Sequence, residues 1–356
     1  MATIKEVAGR ARVSVGTVSN VIGGVVAVRG NLKERVVKAM EELDYHPDHN
    51  ARSLKTRQTK MLGMVISDIT NPFFPQLVRG AEDVAVENGY LLVTFNTDDK
   101  LEREKQVLSM LRSRRVDGLL LVTAPNGGNV DHIKSALAAD IPIVCLDRIP
   151  RGLPVDSITV DNLNGAEICV RHLLQLGHTR IATIAGSSDL QTARERLKGY
   201  ENALRGKGLP VDPVLVREGN FRIDSGYRLG KELCLLSEPP TAIFVANGMM
   251  ALGVLKAFRE LGLECPGDMA LAAFDGFPNT EGFRPEITFV SQPSYEMGSK
   301  GAQLLIQRIG GQLPARRTHI RLDPELNARE STLEYPRLHT LRAGLPQLTG
   351  SRLQSY

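Results

Sequence analysis

At 356 residues, with 42% hydrophobic and 24% charged side chains, the chain has the composition of a soluble globular protein with room for two or three cored domains. No apolar run is long enough to cross a bilayer, and Lys5 and Glu6 interrupt the N-terminus before a signal-peptide core can form, so a cytoplasmic protein without membrane association is expected. The net charge of +4 is unevenly placed: residues 1–60 hold 11 Lys and Arg against 6 acids, which suits a polyanionic partner at one end only.

In chain order, Thr3-Ile4-Lys5-Glu6 reads as a capping box with Thr3 as cap and Glu6 at the third helical position. It opens a helix whose Ile4, Val7, Ala8 and Ala11 share one stripe. Ser14 then caps a second helix, its hydroxyl placed to accept the Thr17 backbone N–H. Val18, Val21 and Ile22 form the apolar face of that helix, and Val15, Gly16, Ser19 and Asn20 the other. Two short amphipathic helices separated by a turn of about three residues are the pattern of a helix-turn-helix. Leu32, Val36, Ala39, Met40 and Leu43 mark a third helix that closes a small core with the first two. Pro47 ends it. The following segment to Thr56, with Leu54 its one large apolar residue, is either a plain linker or a short helix that folds only against DNA, offering Leu54 as a minor-groove wedge.

From Met61 the register changes. Short apolar runs at Met61–Ser67, Tyr90–Asn96, Val116–Val122 and Ile141–Leu146 alternate with helical stretches at Phe74–Asn88, Leu101–Ser113 and Val130–Ala139. The alternation restarts after Asp161 with a helix at Ala166–Leu176, a strand at Ile181–Ala185 and helices at Ala193–Gly206 and Asp224–Leu236. It continues through strand Ala242–Ala246, helix Met249–Leu261 and strand Met269–Phe274, then strand Ile287–Ser291, helix Tyr295–Ile309 and strand Thr318–Leu322. Such alternation means βαβ units and parallel sheets covered on both faces. Two halves of similar size suggest a bilobed body with a ligand cleft at the carboxyl ends of the strands. Residues Pro336–Tyr356 have no apolar period and are expected to be a disordered tail.

Enzyme signatures are lacking: there is no Gly-x-Ser-x-Gly elbow, His-Glu-x-x-His pair, phosphate-binding Gly-x-x-x-x-Gly-Lys loop or Gly-x-Gly-x-x-Gly turn. Gly206-Lys207-Gly208 reads as a helix end. His172 and His178 read as structural, and Asp98-Asp99 as a solvated turn rather than a cation site. Cys145, Cys169, Cys234 and Cys265 lie far apart beside apolar stretches, which favours buried reduced thiols over disulfides or metal ligands. No cofactor and no metal are expected.

A set of ordered motifs runs along the chain: Thr3-Ile4-Lys5-Glu6-Val7-Ala8, Val13-Ser14-Val15-Gly16-Thr17-Val18-Ser19, Ala51-Arg52-Ser53-Leu54, Asp68-Ile69-Thr70-Asn71-Pro72-Phe73-Phe74 and Arg115-Val116-Asp117-Gly118. Leu176-Gly177-His178-Thr179-Arg180-Ile181-Ala182, Arg194-Glu195-Arg196-Leu197-Lys198-Gly199-Tyr200, Ala246-Asn247, Phe274-Asp275 and Val290-Ser291-Gln292-Pro293 continue it. Together, over about residues 2–335, they resemble the LacI/GalR family of bacterial transcriptional regulators. The resemblance implies an all-α helix-turn-helix headpiece (1–46), a hinge helix or linker (47–59) and an α/β bilobed periplasmic-binding-protein-like core with parallel sheets (60–335). It implies three crossings between lobes, with the N-lobe at about 60–160 and 292–322 and the C-lobe at about 161–291 and 323–335.

The resemblance also implies site residues. At the DNA end it places Val15, Gly16 and Asn20 at base-reading positions, Ser14, Thr17 and Tyr45 at phosphate or groove contacts, and Leu54 as the intercalating residue. Thr3, Ser19, Asn50 and Ala51 complete that set. Asn20 carries donor and acceptor together and suits adenine. Arg12 stands where the family's turn usually has glycine, and either strains the turn or adds a phosphate contact. At the effector end, Asp147, Arg196, Asn247 and Asp275 fall at polar ligand positions, with Asn71 beside Phe73, Phe74 and Phe221 as apolar or stacking walls. Gly248 follows Asn247 where relatives usually have Asp. Carboxylates, a guanidinium and aromatic faces fit a polyol, and the same phenylalanines suit a purine. The expected function is a sequence-specific repressor on a pseudo-palindromic double-stranded DNA operator, controlled by a small-molecule effector, a sugar or sugar derivative. A homodimer or a tetramer is expected. The alternative from another class is a soluble carbohydrate-binding protein whose headpiece no longer reads DNA.

Overall fold

The structure is a computed structural model that describes residues 2–23, 30–45, 58–125, 127–276 and 284–333. It divides into two compact units, residues 1–59 and 60–356. The expected hinge residues Asn50, Ala51 and Leu54, and the tail 336–356, lie outside the described residues.

The first unit holds helices α1 (Ile4–Ala11), α2 (Val15–Gly23) and α3 (Gly30–Glu42). The Thr3–Glu6 capping box forms in both directions, with the Thr3 N–H donating to Glu6 Oε2 at 2.7 Å and the Glu6 N–H to Thr3 Oγ1 at 3.4 Å. Val7, Ala8 and Ala11 of α1, Val18 of α2, and Val36 and Ala39 of α3 make the core, with Ile4, Val21, Ile22, Met40, Leu43 and Tyr45 partly buried around it. The stripe read from the sequence is therefore the buried one.

The second unit contains two six-stranded sheets. The first has the order β11-β5-β4-β3-β1-β2, all parallel, from β1 (Met61–Ile66), β2 (Leu91–Asn96), β3 (Gly118–Leu121), β4 (Ile143–Leu146), β5 (Asp156–Val160) and β11 (His319–Leu322). The second has the order β12-β10-β9-β8-β6-β7, from β6 (Ile181–Ala185), β7 (Val216–Glu218), β8 (Ala242–Val245), β9 (Ala270–Phe274), β10 (Thr288–Ser291) and β12 (Glu325–Asn327). Here the edge strand β12 runs antiparallel to β10, and the other pairs are parallel. Helices α4 (Phe73–Glu87), α5 (Leu101–Ser113), α6 (Asp131–Leu137) and α11 (Ser294–Ile309) cover the first sheet, and α7 (Asn162–Gln175), α8 (Gln191–Gly206), α9 (Ile223–Cys234) and α10 (Gly248–Leu261) cover the second. The chain passes between the sheets after β5, after β10 and after β11.

Each strand feeds two cores. Leu62, Met64 and Ile66 of β1 face α4 and α11, whereas Val65 faces the side of α5 and α6. Helices α4 and α11 touch backbone to backbone: a Cβ on Gly80 would lie 2.0 Å from the Tyr295 carbonyl oxygen, and one on Gly298 2.0 Å from that of Leu77. Strands β5, β7 and β12 are absent from the sequence reading. In β5 the reason is Asp156 and Ser157, polar residues that are nonetheless buried. Asp156 accepts two hydrogen bonds from the Arg308 guanidinium, at 2.7 and 2.9 Å, and one from the Thr318 N–H at 2.8 Å. Cys145, Cys169 and Cys234 are buried free thiols, and Cys265 is half-buried.

Candidate functional site

The face of the first unit expected to meet DNA follows from its caps. Ser14 Oγ accepts the Thr17 N–H at 3.1 Å and lies 2.9 Å from Thr17 Oγ1, which fixes the first turn of α2. Val15, Gly16, Ser19 and Asn20 are exposed opposite buried Val18, and Ser14 and Thr3 are exposed beside the helix starts. The turn before α2 is built around Arg12 at φ 52, a left-handed residue. Arg35 of α3 holds it by donating to the carbonyls of Ala11 at 2.5 Å and Arg12 at 3.2 Å. The strain alternative for Arg12 is thus real at the backbone, and its exposed side chain leaves the phosphate contact open as well. Tyr45 packs its ring on the three-helix core.

In the second unit, one cleft at the carboxyl ends of the strands is lined by all eight residues expected at the effector end: Asn71, Phe73, Phe74, Asp147, Arg196, Phe221, Asn247 and Asp275. The two sheets supply it in parallel fashion. Asp147 follows β4 at φ 63 and donates its N–H to the Ile158 carbonyl at 2.9 Å, while Asp275 follows β9 at φ 66 and donates to that of Val290 at 2.9 Å. Each lobe therefore ends a central strand on a left-handed aspartate whose carboxylate enters the cleft, a conformation Asp tolerates better than most side chains.

Arg196, on α8, is buried and held from four sides. Its Nε donates to Asn162 Oδ1 at 2.8 Å, Nη1 donates to the Ala246 carbonyl at 2.7 Å and lies 3.8 Å from Asp275 Oδ2, and the guanidinium carbon sits 3.7 Å from the centre of the Phe274 ring. Burial pushes its pKa down, opposed by the charges of Asp275 and Asp147. Asp275 also accepts from Gln292 Nε2 at 2.6 Å; burial raises its pKa, against Arg196 and that hydrogen bond. Burial raises the pKa of Asp147 too, against the charges of Arg148 and Arg196. Arg148 Nε stands 3.5 Å from Asp147 Oδ2 without the alignment of a hydrogen bond. Asp147 Oδ1 and Gln292 Oε1 are buried acceptors with no donor among the described residues.

The apolar walls are equally placed. Phe73 and Phe74 meet edge to face at 5.0 Å, with Asn71 Oδ1 accepting the Phe73 N–H at 3.2 Å to set the start of α4. Phe221, at φ 64, lays its ring on Gly186, where a Cβ would come within 2.0 Å of the ring. Asn247 commits both ends of its amide internally: Oδ1 accepts the Met250 N–H at 3.0 Å as the cap of α10, and Nδ2 donates to the Phe221 carbonyl at 2.9 Å. Asn247 thus performs the helix capping itself, with Gly248 as the first helical residue. The free space among these groups is about 40 Å³, and Arg222 of the second lobe reaches across it to the Asp98 carbonyl at 3.3 Å and to Asp68 at 3.5 Å.

Seven further residues line the cleft: Asp68, Asp99, Arg148, Thr192, Asn220, Arg222 and Gln292. Gln292 and Asp68 sit inside motifs quoted above, and Arg148 is next to Asp147, but no local pattern marks them as cleft residues. Asp99, read from the sequence as part of a solvated turn, instead accepts from Arg148 at 2.6 Å. His172 and His178 are held by hydroxyls: His172 Nε2 is 2.9 Å from Thr332 Oγ1 and His178 Nδ1 is 2.9 Å from Thr241 Oγ1, with burial pushing the His178 pKa down to about 4. Among the described residues there is no cluster of three or more metal-ligating side chains and no helix long and apolar enough to cross a membrane.

Comparison with known proteins adds the following. Residues 3–48 match the family described as bacterial regulatory proteins, lacI family, and residues 170–332 match the periplasmic binding protein-like domain. The HTH-type transcriptional repressor PurR of Photobacterium profundum is 33% identical over 331 residues, covering 93% of this chain and 98% of its own. That of Aliivibrio fischeri is 34% identical over 337 residues, with 94% and 99% coverage. Among solved structures, the lac repressor dimer bound to operator and the anti-inducer ONPF superposes with a TM-score of 0.82 at 28% identity, over 94% of this chain and 99% of that one. The complex of the transcriptional regulator CelR with cellobiose gives 0.71 at 32% identity, over 93% and 100%. A LacI family transcriptional regulator from Enterococcus faecium with bound ribose gives 0.69 at 29%, over 76% and 98%.

Proposed function

The chain belongs to the lacI family of bacterial regulatory proteins, and on that footing we propose a DNA-binding repressor whose operator affinity is set by a polyhydroxyl effector, a sugar or sugar derivative. The observation that carries the effector class is the polar make-up of the cleft. Two carboxylates on mirrored strand ends, Asp147 buried and Asp275 half-buried, two buried guanidiniums (Arg148 and Arg196), and the acceptors Asp147 Oδ1 and Gln292 Oε1, to which no described residue donates, call for a ligand rich in hydroxyl donors. Phe73, Phe74 and Phe221 cover its C–H faces. The sugars bound in the CelR and Enterococcus faecium structures support this class. A purine is the second reading, favoured by those same three rings and by the PurR relatives.

On the DNA side, α2 enters the major groove, with Val15, Gly16 and Asn20 toward base edges and Thr3, Ser14, Thr17, Ser19 and Tyr45 toward the backbone. Asn50, Ala51 and Leu54 complete the contact with the minor groove, Leu54 as the wedge. A homodimer places two headpieces on a pseudo-palindrome in the cytoplasm. The effector acts by binding one arrangement of the lobes better than the other, which shifts the population that can hold operator.

A thermal-shift panel of monosaccharides, disaccharides and purine bases on the full chain, followed by operator gel shifts with each hit, tests this. One class should raise Tm in wild type and fail to do so in Arg196→Ala, and the same compound should change the operator midpoint. A protein that shows no salt-dependent, sequence-dependent DNA binding with any compound is not a repressor. A hit confined to purines replaces the sugar reading.

A further inference from the structure

A second cavity, of about 220 Å³, opens beside the central cleft, and Arg148 lines both. Its walls come from the two lobes. The loop between β4 and β5 contributes Arg148 and Arg151, and the start of α8 contributes Gln191 and Arg194. Three guanidiniums thus face one space, against a single lining carboxylate, the exposed Asp189.

The three are not equivalent. Arg148 is buried and paired with Asp99, yet its Nε–H has no acceptor among the described residues. Arg194 donates to the Ser188 carbonyl at 2.6 Å, a neutral partner, while Glu195 and Asp189 act on its charge through space. Arg151 is exposed and makes no ion pair with any described residue. Arg151 lies close enough, from the opposite lobe, to disfavour the charge on Arg194: burial and then Arg151 push the Arg194 pKa down, against Glu195 and Asp189. Alongside them, α8 begins at Leu190 with no side-chain cap, so the positive end of a 16-residue helix adds unsatisfied N–H donors at the same wall.

We propose that this cavity is an anion subsite, which takes a phosphoryl group projecting from the effector held in the central cleft. The reading rests on that cleft being the effector site. Its chemistry differs from the cleft's: the cleft offers buried acceptors to hydroxyl donors, and the rim offers guanidinium and helix-end donors to phosphate oxygens. The consequence is conformational. With the cavity empty, Arg151 and Arg194 repel across the lobe boundary; with a dianion between them, both lobes are attracted to one group, so the anion binds the closed arrangement better than the open one. The phosphoryl group would be a bridge between lobes as well as a specificity element.

The test uses the full chain, titrated with inorganic phosphate and with hexose 6-phosphates and purine nucleoside 5′-monophosphates beside their unphosphorylated parents, by calorimetry and thermal shift. Inorganic phosphate should bind in the millimolar range, and Arg151→Glu should weaken it by about tenfold or more, the loss of one charge-assisted contact. Arg151 is exposed and makes no ion pair with a described residue, so this variant folds; Arg194→Gln, which keeps a donor toward Ser188, is the second. One phosphorylated compound should bind roughly tenfold tighter than its parent, and Arg151→Glu should erase that preference while leaving the parent's affinity in place. Phosphate binding that is absent, or unchanged in both variants, overturns the subsite. Phosphate binding that depends on Arg151, with no phosphorylated compound exceeding phosphate itself, overturns the effector-borne source in favour of a free anion. Loss of the central-cleft reading shows differently: no parent compound would then respond to Arg196→Ala, whatever phosphate does.

Discussion

Asp147→Asn should make the protein more stable and less responsive. In the wild type, Asp147 is buried, its Oδ1 has no donor among the described residues, and Oδ2 faces the Arg148 Nε 3.5 Å away without a hydrogen bond. Desolvation is the largest influence on it and raises its pKa above the usual aspartate value, outweighing Arg148 and Arg196. A carboxylate whose folded pKa is raised favours folding in its protonated form. Its unfavourable contribution is absent below the unfolded pKa and grows as pH rises through the folded one. Asparagine keeps the size and the tolerance for φ 63 but carries no charge to desolvate. Arg148 retains Asp99, so the substitution orphans no guanidinium. Relief of one undersatisfied buried anion is worth about 1–2 kcal/mol, a Tm increase of roughly 2–3 °C for a chain of this size. Thermal unfolding at pH 7.5 and pH 5 would measure it, and the advantage should be larger at pH 7.5. Effector affinity should fall by about tenfold, because the strongest acceptor in the cleft is lost. A variant less stable than wild type at pH 7.5, or an advantage independent of pH, would refute the assignment of Asp147 as a strained ligand group.

Other expectations follow from the same contacts. Asn247→Ala removes the α10 cap and the anchor on the Phe221 carbonyl and should cost about 2 kcal/mol in urea unfolding; Asn247→Asp, which keeps the cap, should recover about half of that. Arg12→Gly should stabilise the first unit by about 1 kcal/mol by relieving a left-handed non-glycine residue. If Arg12 also touches a phosphate, the same variant should lower the slope of log operator affinity against log salt by about one, and an unchanged slope leaves strain as its only role. Asp156→Ala leaves the Arg308 guanidinium without its forked partner in a buried setting and should destabilise the second unit by roughly 3–5 kcal/mol, read by chemical denaturation.

The headpiece was legible in the sequence because its information is local. Thr3 with Glu6, Ser14 with Thr17, and the stripes Val7–Ala8–Ala11 and Val18–Val21–Ile22 all act within four residues, where one helical turn brings side chains together. The βαβ alternation was legible for a similar reason, since buried parallel strands are continuous apolar runs. Strand β5 escaped because Asp156 and Ser157 look like loop residues until Arg308 and His319 arrive from far along the chain; Ser157 Oγ lies 2.8 Å from His319 Nδ1.

The cleft divides the same way. Aspartates after β4 and β9 and a helical Arg196 were identifiable by resemblance, but their meeting in one space depends on two sheets presenting their carboxyl ends to each other. Within each lobe, the packing of neighbouring strand ends turned Asp99 from a solvated turn into the partner of Arg148, brought Gln292 onto Asp275, and spent both ends of the Asn247 amide on Met250 and Phe221. The order of residues by itself determined most of the elements, the class of protein and just over half of the cleft's membership. Which oxygen stays unsatisfied, which guanidinium is left without a carboxylate, and hence what a ligand must supply, only the tertiary structure decided, because those properties belong to contacts between residues that no local spacing relates.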